Sequence, residues 1–173
     1  YLKGFNGREV SQDKTQRIIK DDDKETLAEY LDRIKPGDGS VVVEFHFDAA
    51  ANPDASGTSA FYADGSSFKD LNSVKFARDM ATATAKILGI RNRGAMSETV
   101  SHRGRLGLVH EEGINCLVEV CFITNPYDIE KFNEDQNVMN GIDKNISELR
   151  QMFQLQNEKL ETNKKAVYKL TVV

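Results

Sequence analysis

Three ionisable residues interrupt the apolar segment SVVVEFHFDAA, residues 40–50: Glu44, His46 and Asp48. In a strand, residues two apart share a face, so all three point the same way. A second apolar segment, NCLVEVCFITN at residues 115–125, carries one acidic residue, Glu119. A buried, unpaired carboxylate is costly, so Glu119 needs a partner, a metal neighbourhood or a wet cleft. If the two strands are neighbours, a histidine and a carboxylate meet at a sheet rim, where a divalent metal and its water could sit. An equally open reading makes His46 a hydrogen-bonded strand-end histidine and Glu119 the partner of an arginine. One histidine and one glutamate do not make a zinc site, which usually takes three protein ligands.

The elements that must position these residues follow from periodicity. In KETLAEYLDRI, Leu27, Leu31 and Ile34 repeat at helical spacing behind the acidic cluster of residues 21–23, and Pro36 and Gly37 stop the helix. Residues 41–47 form the clearest strand, the small-residue stretch AANPDASGTS a loop, and TSAFYA a second strand. Residues 73–90 make a long amphipathic helix closed by Gly89, and a polar loop follows through Gly107. Two strands apolar on both faces, separated by a long helix, predict an α/β fold: a mostly parallel, twisted sheet with helices on both faces. Its chemistry belongs beyond the carboxyl ends of the strands. A short strand is expected within residues 8–17. Further on, Ile142, Ile146, Leu149 and Phe153 form the apolar stripe of a helix. The expected division is a main domain over residues 1–153, then a polar helical extension or linker with a terminal strand over residues 154–173.

Composition narrows the function classes. A net charge of −4 with no broad basic stripe gives no reason to expect nucleic acid or an acidic membrane surface as a partner. No apolar span approaches membrane length and no signal peptide opens the chain. The first residue is Tyr1, so translation is expected to begin upstream. Cys116 and Cys121, five apart on one strand, are expected to be free and buried. The loop RNRGAMSETVSHRGRLG holds four arginines. It is either a solvated basic loop or a clamp for substrate carboxylates, with Arg103 and Arg105 the better candidates and Arg93 structural.

These segments resemble the zinc-dependent N-acetylmuramoyl-L-alanine amidases of the amidase-3 type. VVVEFHFDAANPDASGTSAFY is similar to the family's histidine strand and the strand after it that ends in tyrosine. CLVEVCFITNPYDIEKF is similar to the strand with the family's glutamate and the acidic helix start behind it. ILGIRNRG matches the arginine-glycine after the long helix, and TQRIIKDDDKETLAEYLDRI the stretch before the histidine strand. The resemblance runs from about residue 8 to residue 146, with its blocks in order.

By that resemblance His46 is a zinc ligand, Glu119 the catalytic base and acid, and peptidoglycan the substrate. The bond cleaved joins N-acetylmuramic acid to L-alanine, with zinc as cofactor. Asp48, in place of the family's usual asparagine, joins Arg103 and Arg105 as a substrate-binding candidate. The family's earlier His-Gly strand end has no counterpart here, and Glu9, which could be nominated as its glutamate ligand, lies closer to His46 than the family's usual interval. On the register of Gln16, Arg17 and Asp22, both ligands are expected upstream of Tyr1 or in a separate N-terminal fragment. The resemblance places the protein at the bacterial cell wall, phage-encoded as an endolysin or secreted in a longer form. Two other readings stand beside it: a metal-free wall-binding or virion module that kept the sheet, and a zinc peptidase of another family.

Overall fold

The computed structural model describes residues 18–19, 24–37, 40–65, 68–134 and 168–169. In chain order these form β1 (Ile18–Ile19), α1 (Leu27–Ile34), β2 (Val41–Asp48), β3 (Thr58–Tyr62), α2 (Phe68–Leu88), β4 (Asn92–Ser97), β5 (Ile114–Phe122), α3 (Pro126–Glu134) and β6 (Tyr168–Lys169). A four-stranded sheet runs β2-β5-β3-β4, and β1 pairs with β6, which lies beside β2. Three of these four pairings are parallel; only β3 against β5 is antiparallel. The mostly parallel α/β sheet expected from the strand and helix order is therefore the observed one.

Both faces of the sheet are covered. Val43, Phe45, Ala60, Val118 and Val120 pack against α2 through Phe76, Ala77, Met80 and Ala81, with Ile129 and Phe132 of α3 alongside. The small residues Ala77 and Ala81 let the α2 backbone come close, while Phe76 and Met80 each bury a side chain worth about 1.5–3 kcal/mol. On the opposite face Val42 meets Tyr30 and Ile34 of α1 together with Leu108. Phe61 and Leu117 meet Leu106 and Val109 there.

α1 starts at a reciprocal cap in which the Glu29 backbone N–H donates to Thr26 Oγ1 and the Thr26 N–H to Glu29 Oε2. Its buried face keeps Ile34 and Leu31 of the expected stripe, Leu31 partly buried, and differs at Leu27. Tyr30 and Ile34 are buried and Leu27 is 57% exposed. The larger tyrosine, four residues before Ile34, takes the sheet-facing position and rolls the helix away from Leu27.

Boundaries also differ, and α2 begins at Phe68 rather than at residue 73. Residues 92–97, read above as loop, form β4. Asn-Arg-Gly-Ala-Met-Ser has little strand propensity of its own, and it is pairing with β3 that extends it. The apolar run ending at Asn125 stops as a strand at Phe122, because Asn125 caps α3: its Oδ1 accepts the Asp128 N–H at 3.0 Å. The expected strand within residues 8–17, the stripe from Ile142 to Phe153 and the extension over 154–165 lie outside the described residues. Among the described residues, no helix is long and apolar enough to cross a membrane.

Cys116 and Cys121 are free and buried. Burial pushes both thiols up, Cys121 to about 12 and Cys116 further. The thiolate is the reactive form, so neither should react in the folded protein. Iodoacetamide at pH 8 is expected to leave the native chain unlabelled and to add two groups once guanidinium unfolds it. Rapid native labelling would contradict this packing.

Candidate active site

The strand register brings the two singled-out residues together. β2 and β5 are hydrogen-bonded neighbours in which His46 pairs with Glu119 and Glu44 with Leu117. On the other side of Glu119 stands Ser59 of β3, so His46, Glu119 and Ser59 form one row across three strands. Below that row the same face carries Val42, Leu117 and Phe61 under their apolar cover. The face thus turns from apolar to polar toward the carboxyl ends of β2 and β5. The register shifts between His46 and Asp48, where the strand pair becomes irregular.

His46 Nε2 lies 3.0 Å from Glu44 Oε1, with 12% and 7% of the two side chains exposed. The contact is short enough for an ion pair when the ring is protonated, but it is out of line for a hydrogen bond. Among the described residues His46 Nε2 and Glu119 Oε2 are both buried without a hydrogen-bond partner. Burial drives the Glu119 carboxyl up to about 7. The His46 and Arg103 charges act against that rise, and Asp48 and Glu44 reinforce it. A carboxyl held there exchanges its proton readily near neutral pH.

The other sequence candidates lie around this row. Asp48 Oδ1 accepts the Ala49 N–H at 2.8 Å, while its Oδ2 is 3.7 Å from Arg93 Nη1. Arg93 also lies over the Phe122 ring, 4.8 Å from its centroid, so Asp48 already faces a guanidinium of its own chain. Arg103 is exposed, yet near enough to Glu119 for its charge to act there. Arg105 is exposed. His102 is exposed at the loop tip, whereas His110 faces Glu98 rather than the His46 row.

Two acidic residues that sequence reasoning did not single out build the surroundings. Asp128 is fully buried at the start of α3. Its carboxylate accepts from Ser56 Oγ at 2.6 Å, the Gly57 N–H at 2.9 Å and the Phe122 N–H at 3.0 Å. Asn125 Nδ2 donates to the Pro53 carbonyl at 2.8 Å. Together they tie the β2–β3 loop to the end of β5, beside Glu119. Gly57 is required here: its φ is +109°, and a Cβ would run into the Arg91 carbonyl oxygen. The signal for Asp128 was its place three residues after a capping asparagine. Glu98, buried in the β4–β5 loop, had no signal of that kind.

The zinc expected from the resemblance can be tested against these donors. A buried imidazole nitrogen without a hydrogen bond, next to a buried carboxylate oxygen in the same state, suits one ligand position and a neighbouring base. Three protein donors are needed for a site, and no group of three His, Cys, Asp or Glu able to hold a metal occurs among the described residues. The described residues fit part of a zinc centre and do not complete it.

Comparison with known proteins bears on the family and the fold. The sequence matches the N-acetylmuramoyl-L-alanine amidase family, amidase-3 type, over residues 10–148. No curated protein matches the chain. Among solved structures it is similar to an N-acetylmuramoyl-L-alanine amidase candidate from Neisseria meningitidis, with 25% identity and a TM-score of 0.56 over 71% of this chain and 64% of that one. It is similar to the catalytic domain of the amidase CwlV from Bacillus (Paenibacillus) polymyxa, with 23% identity and a TM-score of 0.52 over 71% and 63%. It also resembles the catalytic domain of an endolysin targeting Clostridia difficile, with 17% identity and a TM-score of 0.53 over 70% and 61%. The last two likenesses speak for the fold alone. The chain spans less than two thirds of the length of each of these chains. With the family match covering most of its length and the sheet built accordingly, the chain belongs to the N-acetylmuramoyl-L-alanine amidase family.

Proposed function

We propose that this chain carries the Glu119 and His46 part of a peptidoglycan amidase centre that cleaves the bond between N-acetylmuramic acid and L-alanine. The observation that carries the reading is the register pairing of His46 with Glu119, each with a buried polar atom that lacks a hydrogen-bond partner among the described residues. Glu119 takes the proton of the attacking water and returns it to the leaving amine, which suits a carboxyl raised to about 7. His46 is proposed as one zinc ligand, with the remaining donors outside the described residues. Zinc, when bound, polarises the amide carbonyl and acidifies water. Arg103 is proposed to hold a carboxylate of the stem peptide. Action at the cell wall, as an endolysin or in a longer secreted form, follows from the same reading.

Purified cell walls treated with the full-length protein should lose turbidity without gaining reducing sugar ends, as amide cleavage requires. New reducing ends would point to a glycosidase instead. The metal part has its own readout. The full-length protein should hold about one zinc per chain, and His46→Ala should lose most of it on dialysis. Full zinc retention in that variant would remove His46 from the ligand set. A zinc-free, inactive full-length protein would favour the wall-binding module.

A further inference from the structure

The loop between β4 and β5, residues 98–113, buries one carboxylate, and both of its oxygens serve the loop itself. Glu98 Oε2 accepts the Leu106 N–H at 2.8 Å, and Glu98 Oε1 lies 2.6 Å from His110 Nε2. Only 9% of the Glu98 side chain is exposed. Three points, 98, 106 and 110, are thereby joined. Leu106, Leu108 and Val109 sink into the core beneath them, so the base of the loop is fixed to the sheet. Above this base, residues 99–105 project as a short arch. Ser101 Oγ donates to the Gly104 carbonyl at 2.9 Å, and Gly104 has a φ of +69° that turns the chain back.

The arch carries Arg103, whose charge reaches Glu119. Apolar plugs alone would anchor the loop, and burying a charged group there costs desolvation that an aliphatic residue would avoid. What Glu98 adds is shape: it fixes where the arch begins and ends, and so where Arg103 stands.

We propose that Glu98 and His110 are positioning residues, a latch that presents Arg103 to the Glu119 row. The site is thereby made selective for substrates with a free carboxylate on the residue after L-alanine. This rests on the amidase reading for its substrate class. The chemistry is that of a guanidinium meeting a carboxylate, a geometry-dependent pair whose strength falls when the arginine is free to wander.

The test measures binding, so that turnover does not enter. Full-length protein carrying Glu119→Gln is titrated with N-acetylmuramoyl-L-alanyl-D-glutamic acid, and with the same compound whose α-carboxylate is an amide. The acid should bind roughly tenfold more tightly than the amide, the worth of one charge-assisted hydrogen bond. Arg103→Ala should abolish that preference. Glu98→Gln should remove most of it, and should cause no further loss when Arg103 is already Ala. If Glu98→Gln fails to fold, His110→Gln reads the same coupling, since it leaves the bond between Glu98 and Leu106 in place. Equal affinity for acid and amide, no binding of either, or a Glu98 effect that persists without Arg103 would overturn the latch. If the Glu119→Gln protein shows the preference while the unmodified full-length protein never cleaves the bond to L-alanine, the amidase reading alone is refuted. If the unmodified protein cleaves both compounds and the Glu119→Gln protein binds them equally, the latch alone is refuted.

Discussion

Glu119→Gln in the full-length protein is expected to lower the rate of amide cleavage by roughly 10²–10⁴-fold, with the melting temperature nearly unchanged. Glutamine keeps the size and most of the polarity of the side chain, and removes the proton acceptor. The fold has little to lose from the change. Glu119 Oε2 has no hydrogen-bond partner among the described residues, and Thr58 Oγ1 donates to the Glu119 backbone carbonyl, which the substitution leaves in place. Burial already disfavours the charged carboxylate, so losing the charge does not cost packing. A purely structural Glu119, held as half of a buried ion pair, predicts the reverse: about 3–5 kcal/mol of lost stability and no specific loss of rate. Initial rates and a thermal melt on the same preparation separate the two.

The second large effect is expected at Asp128, on stability. Asp128→Ala strands the Gly57 and Phe122 N–H groups in a buried place, at about 1–3 kcal/mol each, or roughly 2–6 kcal/mol together. For a domain of this size that is a fall in Tm of about 10 °C. Asp128→Asn should cost much less. Both backbone donors share Oδ2, so one amide oxygen can accept them, while the amide nitrogen donates to Ser56 Oγ. Activity should fall with stability in the alanine variant, because the same carboxylate fastens the β2–β3 loop beside Glu119. Equal Tm values for the alanine variant and the unmodified protein would show that the loop does not depend on this carboxylate.

How far the sequence foretold these arrangements differs from residue to residue. Glu44, His46 and Asp48 share a face by strand alternation, which needs no tertiary information, and Glu119 stood out as the one acid in its apolar run. Their pairing depends on β2 and β5 being adjacent, a long-range fact that periodicity does not contain. β4 was hidden for a related reason, since its strand geometry comes from β3 rather than from its own residues. The roll of α1 was hidden too: Leu27 and Tyr30 both suit an apolar stripe, and the sheet surface chose the tyrosine. Asp128 was visible only as an acid at a helix start, and Glu98 was hardest to see. A carboxylate that accepts backbone N–H groups looks in sequence like any surface acid, and only the folded loops supply its donors.

In the proposed reading the row of His46 and Glu119 serves cleavage between the lactyl group of N-acetylmuramic acid and L-alanine. The most direct measurement is end-group analysis of a defined N-acetylmuramoyl-pentapeptide after incubation with the full-length protein. The products should be an intact pentapeptide with a new free amine on L-alanine and a muramic acid with a free lactyl carboxylate, and Glu119→Gln should yield almost none of either. A peptide cut between two amino acids, an uncut substrate, or equal release by the glutamine variant would contradict that reading.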